Sequence, residues 1–157
     1  MDIVLYILSA FIFFLFVLLL RSYFAKRMIK KGIGNVEFKH LKNIEGNSSF
    51  TGVRVSLPET PPGNIEVYIC NDIMVVFSKH KMLWLFDVYS FPLFLIRPNY
   101  QVNRAHSRLV YISKFNIIGT RINMDFFYGG AKVNYSLYLR KVNPKEDIDY
   151  FMRWFGE

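Results

Sequence analysis

IVLYILSAFIFFLFVLLL, residues 3–20, runs for 18 positions without a charge, and Ser9 is its one polar interruption. At 1.5 Å per residue such a helix nearly spans a hydrocarbon core of about 30 Å. A cleaved signal peptide is the rival reading, but it places Lys or Arg before a shorter apolar run and a small-x-small site after it. Here Asp2 precedes the run and Arg21-Ser22-Tyr23-Phe24-Ala25-Lys26-Arg27 follows it. The stretch is therefore read as an uncleaved membrane anchor, residues 1–22.

Moving outward, Arg21 to Lys42 holds seven basic residues against Glu37 alone, so this segment supplies +6 of the formal net charge of +8. Cytoplasmic flanks carry the excess of Lys and Arg. The expected topology is single-pass in the cell membrane, with the short N-terminus outside and the C-terminal domain cytoplasmic. RSYFAKRMIKK has no breaker before Gly32 and Gly34, so the helix is expected to continue to about Lys31. Residues 23–44 read as a basic juxtamembrane stem. Arg21, Lys26, Arg27, Lys30 and Lys31 are the candidate lipid-surface contacts, their long side chains reaching water and phosphate. Charge concentrated beside an apolar helix, with no nucleic-acid motif near it, argues against a nucleic-acid partner.

Residues 45–157 form the third segment. The chain is 52% hydrophobic with 16 Phe and 10 Tyr, which fits a folded core rather than disorder. Alternation of period two marks strands: Val53, Val55 and Leu57; then Ile65, Val67 and Ile69; then, after Asn71-Asp72, a hairpin return through Ile73–Phe77. Pro58 to Asn64 reads as the first connecting loop. Further strands are expected over 109–118, 121–127 and 132–142, the last two joined at Gly129-Gly130. In the final strand Val133, Tyr135, Leu137 and Leu139 share one face, while Asn134, Ser136, Tyr138 and Arg140 share the other. Asn143-Pro144-Lys145-Glu146 combines a cap, a proline at the first helical position and an acid in the first turn. Ile148, Phe151, Met152 and Phe155 then recur at helical spacing, so an amphipathic helix should close over the sheet.

Met82 to Ile96, MLWLFDVYSFPLFLI, is almost wholly apolar, but Asp87, Ser90, Pro92 and its shortness speak against a second span. Strands or a loop packed in the domain are expected, and contact with the membrane is left open. Asp87 reads as a hairpin bend, the alternative being an embedded functional carboxylate.

Ile65-Glu66-Val67-Tyr68-Ile69-Cys70-Asn71-Asp72-Ile73-Met74-Val75-Val76-Phe77, together with Leu137-Tyr138-Leu139-Arg140 running through Asn143-Pro144-Lys145-Glu146 into the last helix, resembles the pleckstrin-homology superfold, including bacterial PH-like and GRAM-like domains. The resemblance implies a mainly antiparallel β barrel or sandwich capped by a C-terminal helix, after the single transmembrane helix. It also implies a non-enzymatic binding or scaffolding module engaging a protein partner or a lipid surface. Where phosphoinositide-binding members carry a basic cluster on the first hairpin loop, this chain has Arg54, prolines and Glu59. The alternative function is a structural subunit of a membrane-bound assembly whose helix packs against other spans.

Sequence gives no phosphate loop, nucleophile elbow or metal-spaced Cys/His motif. No catalytic residue, metal or cofactor is expected, and the oligomeric state is left open. One cysteine, Cys70, makes an intrachain disulfide impossible. His40, His80 and His106 are isolated in sequence, and Lys79-His80-Lys81 reads as a solvated turn.

Overall fold

The structure, a computed structural model, describes residues 2–34, 37–51, 63–70, 72–82, 86–98, 109–128, 130–139 and 144–156. A 32-residue helix α1 (Asp2–Ile33) comes first. Eight strands follow: β1 (Lys39–Thr51), β2 (Gly63–Ile69), β3 (Ile73–Met82), β4 (Phe86–Tyr89), β5 (Leu93–Ile96), β6 (Leu109–Ile118), β7 (Arg121–Tyr128) and β8 (Ala131–Leu139). A second helix, α2 (Pro144–Phe155), ends the chain.

Strand pairing runs β2-β1-β8-β7-β6-β5-β3, and the β2–β3 hairpin closes the ring. The result is a closed barrel of seven strands rather than an open sandwich, with all pairs antiparallel except β5–β6. A parallel pair needs a crossover of about a dozen residues, and residues 97–108 join these two strands. β4 extends the line of β5 along β3: Lys79 faces Tyr89 and Val76 faces Leu93, so the register slips by one residue across Ser90 to Pro92. Ser90 spans the slip, its N–H donating to Ser78 O (3.0 Å) and its Oγ accepting from Ser78 N (2.8 Å).

Val67, Met74, Leu95, Ile122, Met124, Phe126, Val133, Tyr135 and Leu137 are fully buried in the barrel core. The expected strand over 53–57 and residues 58–62 of the loop after it lie outside the described residues, while Gly63 and Asn64, read as the end of that loop, already belong to β2. The strand β1 is a finding that the periodicity does not announce. Its apolar residues Leu41 and Ile44 are three apart, yet both face inward, because an irregularity between them shifts the register against β2. His80 lies on β3 and Asp87 on β4, so neither occupies the turn or bend read from the sequence.

The helix α2 covers one end of the barrel as expected: Phe151, Trp154 and Phe155 are buried, while Lys145, Asp149 and Arg153 face solvent. Phe155 stacks on Phe115 with ring centroids 3.9 Å apart, and Trp154 Nε1 donates to Cys70 O at 2.9 Å. Lys39 ties α2 to the start of β1 through Asp147 (2.8 Å) and the face of Tyr150 (4.7 Å).

Candidate functional site: the joint between helix and barrel

α1 is one unbroken helix about 48 Å long with two unlike halves. From Ile3 to Leu20 its apolar side chains are turned outward, with only Leu15 and Leu18 partly covered. Among the described residues it is the one helix long and apolar enough to cross a membrane, with none of its most apolar 18 residues buried. From Ser22 onward the helix lies on the outer wall of the barrel, against β3 and β4.

That contact explains a pattern the sequence could not decode. Six successive residues of β3, Ile73 to Ser78, are buried. Met74 and Val76 point into the barrel core, while Ile73, Val75 and Phe77 join a second apolar cluster with Ile29, Ile33, Cys70 and Phe94. A strand covered on both faces has no polar side to show, so it reads as a continuous apolar run. The buried β5 sequence LFLI has the same origin, with Leu93 and Leu95 inward and Phe94 under the helix.

Ser22, Ala25, Ile29 and Gly32 recur along the packed side of α1, and all four are buried. Ser22 makes the polar part of the joint, its Oγ accepting from Tyr89 N (3.0 Å) and donating to Asp87 O (3.2 Å). It thereby satisfies two backbone groups on the side of β4 away from β3, as a neighbouring strand would. Gly32 sets how closely helix and sheet approach, since a Cβ there would lie 2.2 Å from Phe94 Cε1. It is thus a helical contact residue, and the helix stops at Gly34, whose φ of +63° suits glycine and whose N–H donates to Lys30 O.

The five predicted lipid contacts, Arg21, Lys26, Arg27, Lys30 and Lys31, are all exposed. At 100° per residue, Lys26, Arg27, Lys30 and Lys31 form one broad stripe beside and opposite the packed face, whereas Arg21 lies at its other edge. Lys26, Arg27 and Lys30 line one hollow with Tyr23, of about 540 Å³. Arg21 sits over the ring of Phe91 at 5.1 Å, and Lys26 lies 5.9 Å from the ring of Tyr89. Tyr89 receives a second cation on its ring, Lys79 at 5.7 Å. Lys79 is held by Asp87 at 3.0 Å, and that hydrogen bond keeps the ammonium protonated above its ordinary range.

Along the outer wall, rings continue from Tyr89 to Phe77, Tyr68 and His40. His40 Nε2 lies 2.8 Å from Glu66 Oε2, yet burial outweighs that carboxylate and lowers the imidazole below its ordinary 6.5. Burial and Glu66 together raise the Tyr68 hydroxyl. Cys70 is buried, and among the described residues no three His, Cys, Asp or Glu side chains come together as a metal site. His106 lies outside the described residues.

Sequence reasoning located the cations and missed the face that positions them. Its available signal was the recurrence of small or apolar residues at 22, 25, 29 and 32, obscured by treating Gly32 as a breaker. No family model, curated protein or solved structure matches this chain.

Proposed function

We propose that this is a single-pass protein of the cell membrane whose α1 carries the barrel rigidly against the cytoplasmic surface of the bilayer, as a non-enzymatic, PH-like binding or scaffolding module. The observation that carries the reading is the change of partner within one continuous helix. Residues 3–20 turn an apolar exterior outward, interrupted only by Ser9, and two residues later Ser22 is bonded to β4. The barrel wall thus begins where the span ends, and no flexible linker separates them. Arg21 then lies at head-group depth, and Lys26, Arg27, Lys30 and Lys31 follow within about 15 Å along the helix, where a cation near an anionic surface gains about 1 kcal/mol. Their placement also supports the cytoplasmic orientation.

The PH-like reading rests on the order of antiparallel hairpins and the C-terminal helix over one barrel end. The parallel β5–β6 pair is a local departure from a wholly antiparallel barrel. A protein partner would meet the walls that α1 leaves open.

As for the alternative, a structural subunit held by helix–helix packing, interfaces between spans favour small residues and polar bridges. Within 3–20 only Ser9 and Ala10 are small, and Ser9 Oγ donates to Tyr6 O in its own helix. This favours lipid as the neighbour of the span.

Alkaline carbonate extraction and a reporter fused after Glu157 test the reading. The chain is expected to stay in the membrane pellet with the reporter in the cytoplasm. Release by carbonate refutes the anchor, and an external reporter refutes the orientation.

A further inference from the structure

We propose that the outer face of β6, β7 and β8 is a binding site for a phosphate monoester. Around the ring, α1 occupies the wall at β3, so β7 and β8 stand on the far side, and this inference is independent of how the helix meets lipid.

Strand register brings polar side chains into rows across this face. Asn116 faces Asn123, which faces Ser136; Lys114 faces Asp125, which faces Asn134; and Arg121 faces Tyr138, with Glu45 one strand further on. A hollow of about 370 Å³ lies over them, lined by Lys114, Asn116, Arg121, Asn123, Asp125 and Asn134 among others. Small-molecule sites fall in the range of about 300–1,000 Å³.

Hydrogen-bond directions decide what this hollow offers. Ser136, only 3% exposed although on the outer face, donates to Asn123 Oδ1 at 2.8 Å and accepts from Arg121 Nη2 at 3.0 Å. The first bond uses the amide oxygen of Asn123 and leaves its Nδ2 hydrogens to donate. The second, with the Tyr138 ring 5.2 Å from the guanidinium carbon, fixes Arg121 and leaves its other N–H groups available for a ligand. Asp125 is already neutralised, one oxygen held by Lys132 (3.1 Å) and the other by Asn134 Nδ2 (2.6 Å). What remains is two cations, Lys114 and Arg121, flanking amide donors. Such a set fits an acceptor-rich anion.

Its geometry distinguishes among anions. A carboxylate is planar and satisfied by one guanidinium fork, leaving Lys114 unmatched. A phosphate monoester carries nearly two charges and three terminal oxygens, which can address Arg121, Lys114 and an amide from different directions.

The test titrates the full chain in nonionic detergent with inorganic phosphate, glycerol 3-phosphate or acetate, and in mixed micelles with phosphatidic acid. Side-chain amide NMR signals of Asn123 and Asn116, and calorimetry, report binding. Saturable binding of glycerol 3-phosphate, with acetate weaker by about tenfold or more, is expected. Lys114→Gln and Arg121→Gln should each weaken it by about tenfold or more, while Lys145→Gln, an exposed cation of α2, leaves it unchanged. Lys114 is exposed, so its variant keeps the test valid if Arg121→Gln perturbs folding. Binding of phosphatidic acid micelles alone, with the same dependence on Lys114, supports the site and identifies a lipid head group as the source. No saturation at millimolar phosphate in any arm, or equal loss in Lys145→Gln, overturns the proposal.

Discussion

Replacing Gly32 with alanine isolates the contact between helix and barrel. In an unencumbered helix this change stabilises by about 1 kcal/mol, since alanine loses less backbone freedom than glycine. Here the new methyl would stand 2.2 Å from Phe94 Cε1 and 3.0 Å from Cζ. Carbon–carbon contacts settle near 3.5–4.0 Å, so helix and ring must separate by roughly 1.3 Å or more. Phe94 cannot simply turn aside, being 6% exposed and packed in the same cluster as Ile29, Ile33, Val75 and Phe77. Overpacking of this kind costs about 1–3 kcal/mol. That offsets or exceeds the gain in propensity, and Gly32→Ala should leave stability unchanged or lower it by up to about 2 kcal/mol. Phe94→Ala removes the obstructing ring, and in that background Gly32→Ala should recover its stabilising sign. The assay is equilibrium urea unfolding of the full chain and its single and double variants in nonionic detergent, read as a double-mutant cycle. A coupling of about 1–3 kcal/mol is expected. Equal effects of Gly32→Ala in the two backgrounds would refute the close packing of α1 on β5.

Three further outcomes follow from the same geometry. Ser22→Ala removes the acceptor of Tyr89 N–H, so hydrogen exchange at that amide should quicken by about 5- to 150-fold, for a cost of about 1–3 kcal/mol, while Met124 and Tyr135 in the far wall keep their protection. Phe151 is fully buried under the barrel end, and Phe151→Ala should cost about 3–5 kcal/mol; an unchanged thermal midpoint would refute the capping role of α2. The lowered folded-state pKa of His40 means that the unfolded chain binds its proton more readily. This contribution to stability is complete above its ordinary 6.5 and is lost as pH falls from there toward the folded value. Unfolding midpoints at about pH 7.5 and about pH 5.5 should therefore differ less in His40→Gln than in the parent chain, and an identical difference would exclude His40 as the titrating group.

Elements buried on one side were legible because their periodicity records that side. β2 and β8 alternate and the side chains selected by that period are buried; in α2 the helical period selects Phe151 and Phe155, which are buried, and Ile148 and Met152, which are half-buried, but not the buried Trp154. The apolar segment 3–20 needed no neighbour to be recognised, since its length and lack of charge suffice. The basic stripe was likewise visible as composition, though the structure separates its residues by role: Lys39 binds α2, while Lys26, Arg27 and Lys30 line one hollow.

Where a residue's surroundings come from distant parts of the chain, local pattern carries no record of them. Ile73 to Ser78 lost its period because two different partners, the barrel core and α1, cover opposite faces. β1 lost its own because a register irregularity turns Leu41 and Ile44 to the same side. Ring closure through β2–β3, the parallel β5–β6 pair and the Ser22 bond across 65 residues to Asp87 are long-range choices settled only by folding. Sequence alone determined an apolar helix, a basic flank and a strand-rich domain with a helical cap. Tertiary structure decided that the helix is part of the domain's wall, because packing Ile29, Gly32 and Ile33 against β3 and β5 removes apolar surface that the closed barrel would otherwise leave in water.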